Sequence, residues 1–420
     1  MAYVLGLRCR ECGADCAQEP THVCDQCFGP LEVRYDYAAM RGALTREAIA
    51  ARPRGLWRYR ELLPLRDEPT VGPHAGGTPL VRADRLAAAL GVRELYVKDD
   101  SVSHPSFSYK DRVVSVAIAK AIELGFDTVA CASTGNLANS VSAHAARAGL
   151  RCFLFLPDRL EQGKIIGSAI YGPHAVAVRG TYDDVNRLCS EIADKYRWAF
   201  VNINMRPFYT EGAKTYGFEI AEDLGWAAPR HVVVPTAGGT LLPRIARAFA
   251  ELRDLGLIDA PPPAIHCAQA AGCAPIVHAL HRGHDTIEPV KPDTIATSIA
   301  IGNPGDGYDV LEAVRTSGGW AEAATDAEIV DAIHLLARTE GIFTEPAGGA
   351  TVAVTRKLVE QGRIRRDESI VIGITGNGYK TIEAVRESVA TPFVINARLP
   401  EFDHLYDALA PRARHAAGRE

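Results

Sequence analysis

One lysine and three polar loops carry the chemistry that this sequence can do. Lys110 sits in "SHPSFSYKDR" (103–112), behind Ser106, Phe107, Ser108 and Tyr109 and ahead of an apolar stretch. An S-x-x-K pair would need serine at 107, and a G-x-x-x-x-G-K-[ST] phosphate loop would need glycine at 109, so neither pattern claims the lysine. The loops are "ASTGNLA" (132–138), "VPTAGGTLL" (234–242) and "GITGNGYK" (373–380). In the first, Ser133, Thr134 and Asn136 surround Gly135 at the start of a helical pattern. Free N–H groups and the positive end of a helix dipole there favour an anion such as a carboxylate; a plain N-cap is the competing reading. In the second, Thr236, Ala237, Gly238, Gly239 and Thr240 lie between a strand and a helix. Adjacent glycines let several N–H groups converge on a phosphate, with the Thr240 hydroxyl beside them. The spacing is not G-x-G-x-x-G, and a turn that uses glycine for geometry alone is the competing reading. In the third loop Thr375 closes a strand, where a neutral hydroxyl can face a heteroaromatic nitrogen without keeping it protonated. An amine, a phosphate cradle, an anion-binding helix start and a hydroxyl together suit pyridoxal phosphate, whose aldehyde condenses with a lysine and whose ring takes up electrons.

A second constellation lies at the N-terminus. Cys9-x-x-Cys12 and Cys24-x-x-Cys27 can each turn two thiolates toward one point, and two such turns joined by a hairpin make a tetrahedral sulfur site suited to zinc. A redox pair is the weaker reading, because no strand–helix pattern follows either C-x-x-C. Four sulfur ligands make such a site structural, and Cys16 is a spare thiol or alternative ligand. The other five cysteines, Cys131, Cys152, Cys189, Cys267 and Cys273, read as small core residues.

The elements that must position these groups alternate. "TVACAS" (128–133), "RCFLFLP" (151–157), "HAVAVRG" (174–180), "WAFVNIN" (198–204), "HVVVPTA" (231–237), "AIHCAQA" (264–270) and "SIVIGIT" (369–375) read as strands, most of them followed by helices. That alternation predicts parallel α/β layers, with ligands beyond the carboxyl ends of the strands. The helix after Lys110 has an apolar core face and Asp111 near its positive end.

Size and charge narrow the partners. The chain has 420 residues, 47% hydrophobic and 23% charged, with a net charge of −5. That is globular composition for two or three domains, without the basic face that nucleic acid demands. No apolar run reaches the roughly 18 residues of a membrane span, and a cytoplasmic protein is expected. The thirteen histidines show no H-E-x-x-H and no close cluster.

The order of "GGTPL" (76–80), "SFSYKDR" (106–112), "ASTGN" (132–136), "EGAKT" (211–215), "VPTAGGT" (234–240), "TEPAGGA" (344–350) and "ITGNGYK" (374–380) resembles the threonine synthases, of the tryptophan-synthase-β-like, fold type II group of pyridoxal phosphate enzymes. The likeness runs from about residue 1 to 390. It implies an α/β fold of two parallel-sheet domains with a small zinc-ribbon-like segment: 1–36 the ribbon, 37–118 with 205–395 a large cofactor-binding domain, 119–204 a small domain, and 396–420 a tail. It implies conversion of O-phospho-L-homoserine and water to L-threonine and phosphate. Lys110 matches the lysine that holds the cofactor, with Phe107 the nearby aromatic. Asn136 matches the contact to the ring oxygen, Thr236, Ala237, Gly238, Gly239 and Thr240 the phosphate loop, and Thr375 the hydroxyl at the ring nitrogen. Ser133 and Thr134 match residues at the substrate carboxylate. Thr78 is a candidate for the pocket wall, and Lys164, Arg206 and Lys214 are candidates for the substrate phosphate. Glu345 either approaches the substrate amine or ring or serves a helix dipole. "AIGNPGDGYD" (300–309) reads as a loop lining or covering the cleft. The chain departs from many relatives in having "TAGGT" for a longer phosphate loop and Leu137 for a threonine after Asn136. Enzymes that combine phosphoserine with sulfite, or dehydrate serine and threonine, share the fold group and are the alternatives; a zinc-ribbon binding protein on a dead scaffold is the non-enzymatic one. A homodimer is expected.

Overall fold

The computed structural model describes residues 3–21, 23–133, 135–157, 161–180 and 182–409. The N-terminal segment is a three-stranded antiparallel sheet in the order β2-β1-β3, made of β1 (Val4–Cys9), β2 (Asp15–Cys16) and β3 (Leu31–Tyr35). Strict alternation in β3 buries Leu31, Val33 and Tyr35 and leaves Glu32 and Arg34 half-buried.

The next strands, β4 (Leu80–Arg82) and β5 (Glu94–Asp99), begin the large sheet. The chain then leaves it to build a second sheet from β6 (Thr128–Ala132), β7 (Arg151–Pro157), β8 (His174–Val178) and β9 (Ala199–Phe200), all parallel in the order β8-β7-β6-β9. It returns through β10 (His231–Pro235), β11 (Ala264–Ala270), β12 (Ala321–Ala324) and β13 (Ser369–Ile374), completing the order β12-β11-β10-β13-β5-β4. Five of these six strands are parallel; β4 pairs antiparallel with β5, Leu80 opposite Lys98. Every residue of β6, β10 and β11 is buried, as expected of parallel strands covered on both faces.

The predicted strand over 198–204 is shorter than its sequence suggests. It stops at Phe200 because asparagine side chains take over the backbone's bonds. Asn204 accepts from Phe200 N–H at 2.8 Å and donates to the Trp198 carbonyl at 3.0 Å. Asn202 completes the edge of β6 by bonding both N–H and C=O of Ala132, at 3.3 and 3.2 Å.

Residues 1–384 form one unit and 385–420 a second, whose described part holds the helix Leu399–Leu409. No helix among the described residues is long and apolar enough to cross a membrane.

Candidate active site

The carboxyl ends of β6, β10 and β13 lead into the three loops singled out above, and a cavity of about 220 Å³ lies among them. Lys110, Ser133, Asn136, Arg206, the loop 236–240, Glu345 and Thr375 all line it.

Lys110 opens the helix Lys110–Glu123. Its ε-amine donates to the hydroxyls of Tyr109 at 3.1 Å and Tyr209 at 3.3 Å. Burial alone would push the amine's pKa down; the two tyrosine hydroxyls outweigh that and hold it above the ordinary lysine value. What fixes the amine is the pair of buried charges that follow it. Asp111 accepts from Ser106 N–H at 3.0 Å, Ser106 Oγ at 2.7 Å and Ser140 Oγ at 2.7 Å. Arg112 is wholly buried and spends every guanidinium nitrogen. It grips Asp100 at 2.7 and 2.8 Å, Glu219 at 2.6 and 2.8 Å, Thr215 at 3.1 Å and Thr78 at 2.9 Å. The segment before Lys110 is tied to the third loop, Tyr109 N–H to the Thr375 carbonyl at 2.9 Å and Asn377 N–H to the Phe107 carbonyl at 3.1 Å.

In the first loop the Ser133 hydroxyl accepts from Gly135 and Ala138 N–H, each at 2.9 Å. Gly135, not this serine, holds the N-cap position, but the hydroxyl satisfies one N–H of the helix's first turn and lines the cavity. Gly135 has φ 132°, and a Cβ there would stand 2.2 Å from Cδ of Lys164, so only glycine fits. Asn136 donates to both carboxylate oxygens of Glu345 at 2.9 Å. Its own carbonyl oxygen is buried without a hydrogen-bond partner.

In the second loop, Gly239 has φ 102°, and a Cβ would come within 2.9 Å of the Asp306 backbone. Asp306 binds Thr240 Oγ1 at 3.0 Å and Arg206 at 2.5 Å. Burial would raise the Asp306 carboxyl, but the Arg206 guanidinium and the Thr240 hydroxyl hold it below the usual carboxylate value. The segment 300–309 does line the cavity, through Ile301, Asn303 and Gly305.

These features fit pyridoxal phosphate. The lysine, an orphaned buried amide oxygen, a glycine loop with two threonine hydroxyls and Thr375 face one space.

The remaining candidates stand elsewhere. Phe107 is 50% exposed and does not line the cavity. Thr78 donates to Asp100 at 2.6 Å within the Arg112 cluster. Lys164 is buried against Glu161 at 3.1 Å and Thr297 at 3.0 Å. Lys214 is buried between Glu211 at 2.7 Å and Glu251 at 3.0 Å. Thr134 lies outside the described residues. The sequence reading missed Tyr109, Tyr209 and Asp306. Tyr109 was legible as the neighbour of Lys110, and Asp306 lies in the glycine-rich segment 300–309 already read as a cleft loop; nothing local marks Tyr209.

Apart from the cavity, Cys9, Cys12, Cys24 and Cys27 have sulfurs all within 4.8 Å of one another. Cys9 and Cys27 are 3.4 Å apart and Cys12 and Cys24 3.7 Å. Four thiolates about 2.3 Å from one zinc would be separated by about 3.8 Å, so the cluster is of the right size for a metal.

Residues 71–376 match the family described as pyridoxal-phosphate dependent enzyme. The threonine synthase of Methanocaldococcus jannaschii is 41% identical over 392 residues, 92% of this chain and 96% of that protein. The threonine synthase of Methanosarcina acetivorans is 38% identical over 411 residues, 97% and 99% of the two chains. Among solved structures, threonine deaminase isoform 2 from Solanum lycopersicum, in its processed form, shares the fold with a TM-score of 0.63 at 23% identity, over 76% of this chain and 89% of that one. A lysine-centred cavity at the strand ends, a matched family segment that spans it and relatives aligned over nearly the whole length lead to one conclusion: the chain belongs to the pyridoxal-phosphate-dependent enzymes, among the threonine synthases.

Proposed function

We propose that this chain converts O-phospho-L-homoserine and water into L-threonine and phosphate. The observation that carries the reading is the placement of Lys110 and Arg206 on the walls of one cavity, with the glycine loop 236–240 between strand and helix beside them. Bound pyridoxal phosphate supplies an aldehyde for the substrate amine and a ring that delocalises the electrons left when a C–H bond breaks. Lys110 would hold the cofactor at rest; once freed, its amine takes the proton from Cα and moves protons at Cβ. The hydroxyls of Tyr109 and Tyr209 keep that amine aimed into the cavity. N–H groups of the 236–240 loop, with Thr236 and Thr240, hold the cofactor phosphate, while Thr375 and Asn136 address the ring, and Glu345 orients Asn136. Ser133 and Thr134, at the approach to the helix Asn136–Ala148, would receive the substrate carboxylate. Arg206 holds the substrate phosphate, which departs from Cγ, and water adds at Cβ.

Thr78, Lys164 and Lys214 take positioning roles on this reading: Thr78 through Arg112, Lys164 beneath Gly135, Lys214 through Glu211. Phe107 packs outside. On this reading the four N-terminal cysteines hold zinc in a ribbon over 1–36, and the rest is assigned to a large domain (37–118 and 205–395), a small one (119–204) and a tail (396–420). The enzyme works as a cytoplasmic homodimer.

The test is phosphate release from O-phospho-L-homoserine, with threonine identified as product, beside O-phospho-L-serine plus sulfite. Release from the first alone, abolished by Lys110→Ala together with the near-visible absorbance of the bound cofactor, is expected. Turnover of phosphoserine with sulfite in preference would overturn the substrate assignment.

A further inference from the structure

Two residues of the cysteine-bearing segment reach into the α/β body, and each meets an element that carries a cavity residue or its partner. Arg10 stands between Cys9 and Cys12, its backbone N–H bonded to the Pro30 carbonyl at 3.0 Å. Its guanidinium pairs with Asp309 and lies 4.0 Å from Glu32 and 3.9 Å from Glu312. Asp309 sits in the first turn of the helix Gly307–Thr316. The residue that caps this helix is Asp306, which binds Arg206 and Thr240 on the cavity wall.

Tyr35 ends β3 and is buried. Its hydroxyl donates to Glu211 at 2.8 Å. Glu211 is wholly buried and is also held by Lys214 at 2.7 Å and Arg244 at 3.4 Å. It closes the six-residue helix Arg206–Glu211, which presents Arg206 and Tyr209 to the cavity. Arg206 is thus held from two sides, through its own helix by Tyr35 and through Asp306 by Arg10. Neither Arg10 nor Tyr35 lines the cavity.

We propose that Arg10 and Tyr35 are positioning residues for the anion end of the cavity, so that the cysteine-bearing segment sets the enzyme's affinity for the phosphate of its substrate. The inference rests on the reading that Arg206 meets that phosphate. An arginine binds a phosphate through a planar fork, and a small rotation of its anchoring helix spoils that geometry without touching the reacting carbons. Lys110 and Tyr109 are anchored instead through the Arg112 cluster and the third loop, and of the amine's two partners only Tyr209 shares the helix of Arg206, so binding suffers before chemistry does.

The test uses the full-length holoenzyme carrying Arg10→Gln, Tyr35→Phe or Arg10→Lys. Steady-state kinetics with O-phospho-L-homoserine are measured beside the Kd of inorganic phosphate, followed through the cofactor's absorbance. Arg10→Gln and Tyr35→Phe each raise KM and the phosphate Kd about three- to tenfold, less than one full charge-assisted hydrogen bond because each acts on Arg206 indirectly, with kcat within about twofold. Arg10→Lys, which keeps a cation against Asp309, restores most of the affinity. Wild-type KM and phosphate Kd in both variants overturn the proposal, and so does a parallel fall in kcat and cofactor content, which is what general loosening gives. A wild-type enzyme that neither turns over O-phospho-L-homoserine nor binds phosphate overturns the functional reading and takes this inference with it, a pattern distinct from variants that match an active wild type.

Discussion

The hydroxyl of Tyr209 accepts a hydrogen bond from the ε-amine of Lys110 at 3.3 Å, joining residues 99 positions apart. Burial pushes this hydroxyl up, so it is neutral at working pH and can accept from an ammonium or donate to a free amine. Tyr209→Phe therefore lowers kcat about three- to tenfold, the worth of one such bond. It also moves the limb of the kcat–pH profile governed by Lys110 to lower pH, because the charged form loses a partner. A variant with wild-type kcat and an unmoved profile takes Tyr209 out of the chemistry.

Arg112 anchors the start of the lysine's helix from a fully buried position. Arg112→Met leaves Asp100 without its cation and Glu219 with Lys98 alone, at 2.7 Å. Removing one partner of a buried ion pair costs about 3–5 kcal/mol, and this is the loss expected in urea unfolding followed by circular dichroism. Arg112→Lys recovers only part of it, because an ammonium cannot match two carboxylates with a planar fork. A loss below about 1 kcal/mol for Arg112→Met would show that the cluster relaxes around the gap.

Much of this arrangement was legible beforehand, and the reason is local. A C-x-x-C pair, a glycine loop between strand and helix and a lysine before an apolar helix each carry their meaning in neighbouring residues. The strands β6, β7, β8, β10, β11 and β13 begin where their apolar runs begin. What escaped depends on partners far along the chain. Lys214 was a candidate for the substrate phosphate and is consumed by Glu211 and Glu251. Asn202 looked like strand and instead caps an edge with its side chain. His231 and His266 showed no cluster in sequence, yet parallel pairing of β10 with β11 brings their rings within hydrogen-bond distance.

The four sulfurs of the ribbon make a prediction that needs no catalysis. One zinc per chain is expected in protein purified without chelators, measured by atomic emission. Cys12 and Cys27 are exposed, so without metal they should react at once with a thiol reagent. With metal they react only after chelation, and Cys24→Ser abolishes both the zinc and the protection. Metal-free protein with immediately reactive thiols, after refolding with added zinc, would sink the assignment.

The buried pair His231 and His266 gives the protein a directional acid sensitivity. Trp320 N–H donates to Nδ1 of His266 at 3.0 Å, so that nitrogen carries no proton. Nε2 of His266 then donates to Nδ1 of His231 at 3.0 Å, and Nε2 of His231 donates to Glu368 at 2.8 Å. This order requires both rings to be neutral, since one more proton on either ring would set N–H against N–H. Burial pushes His266 down to about 3 and lowers His231 as well, against the pull of Glu368. In the unfolded chain a histidine titrates near 6.5, so between about pH 6.5 and 3 the unfolded state binds a proton that folded His266 refuses. Stability is flat in this respect above about pH 6.5 and falls below it, by up to about 1.4 kcal/mol per pH unit. Between pH 7.5 and 5, above the range in which carboxylates titrate, the urea midpoint should fall in the wild type. It should fall less in His266→Gln, which has no ring to protonate when unfolded. An equal pH slope in the two proteins would show that this pair does not set the acid limit.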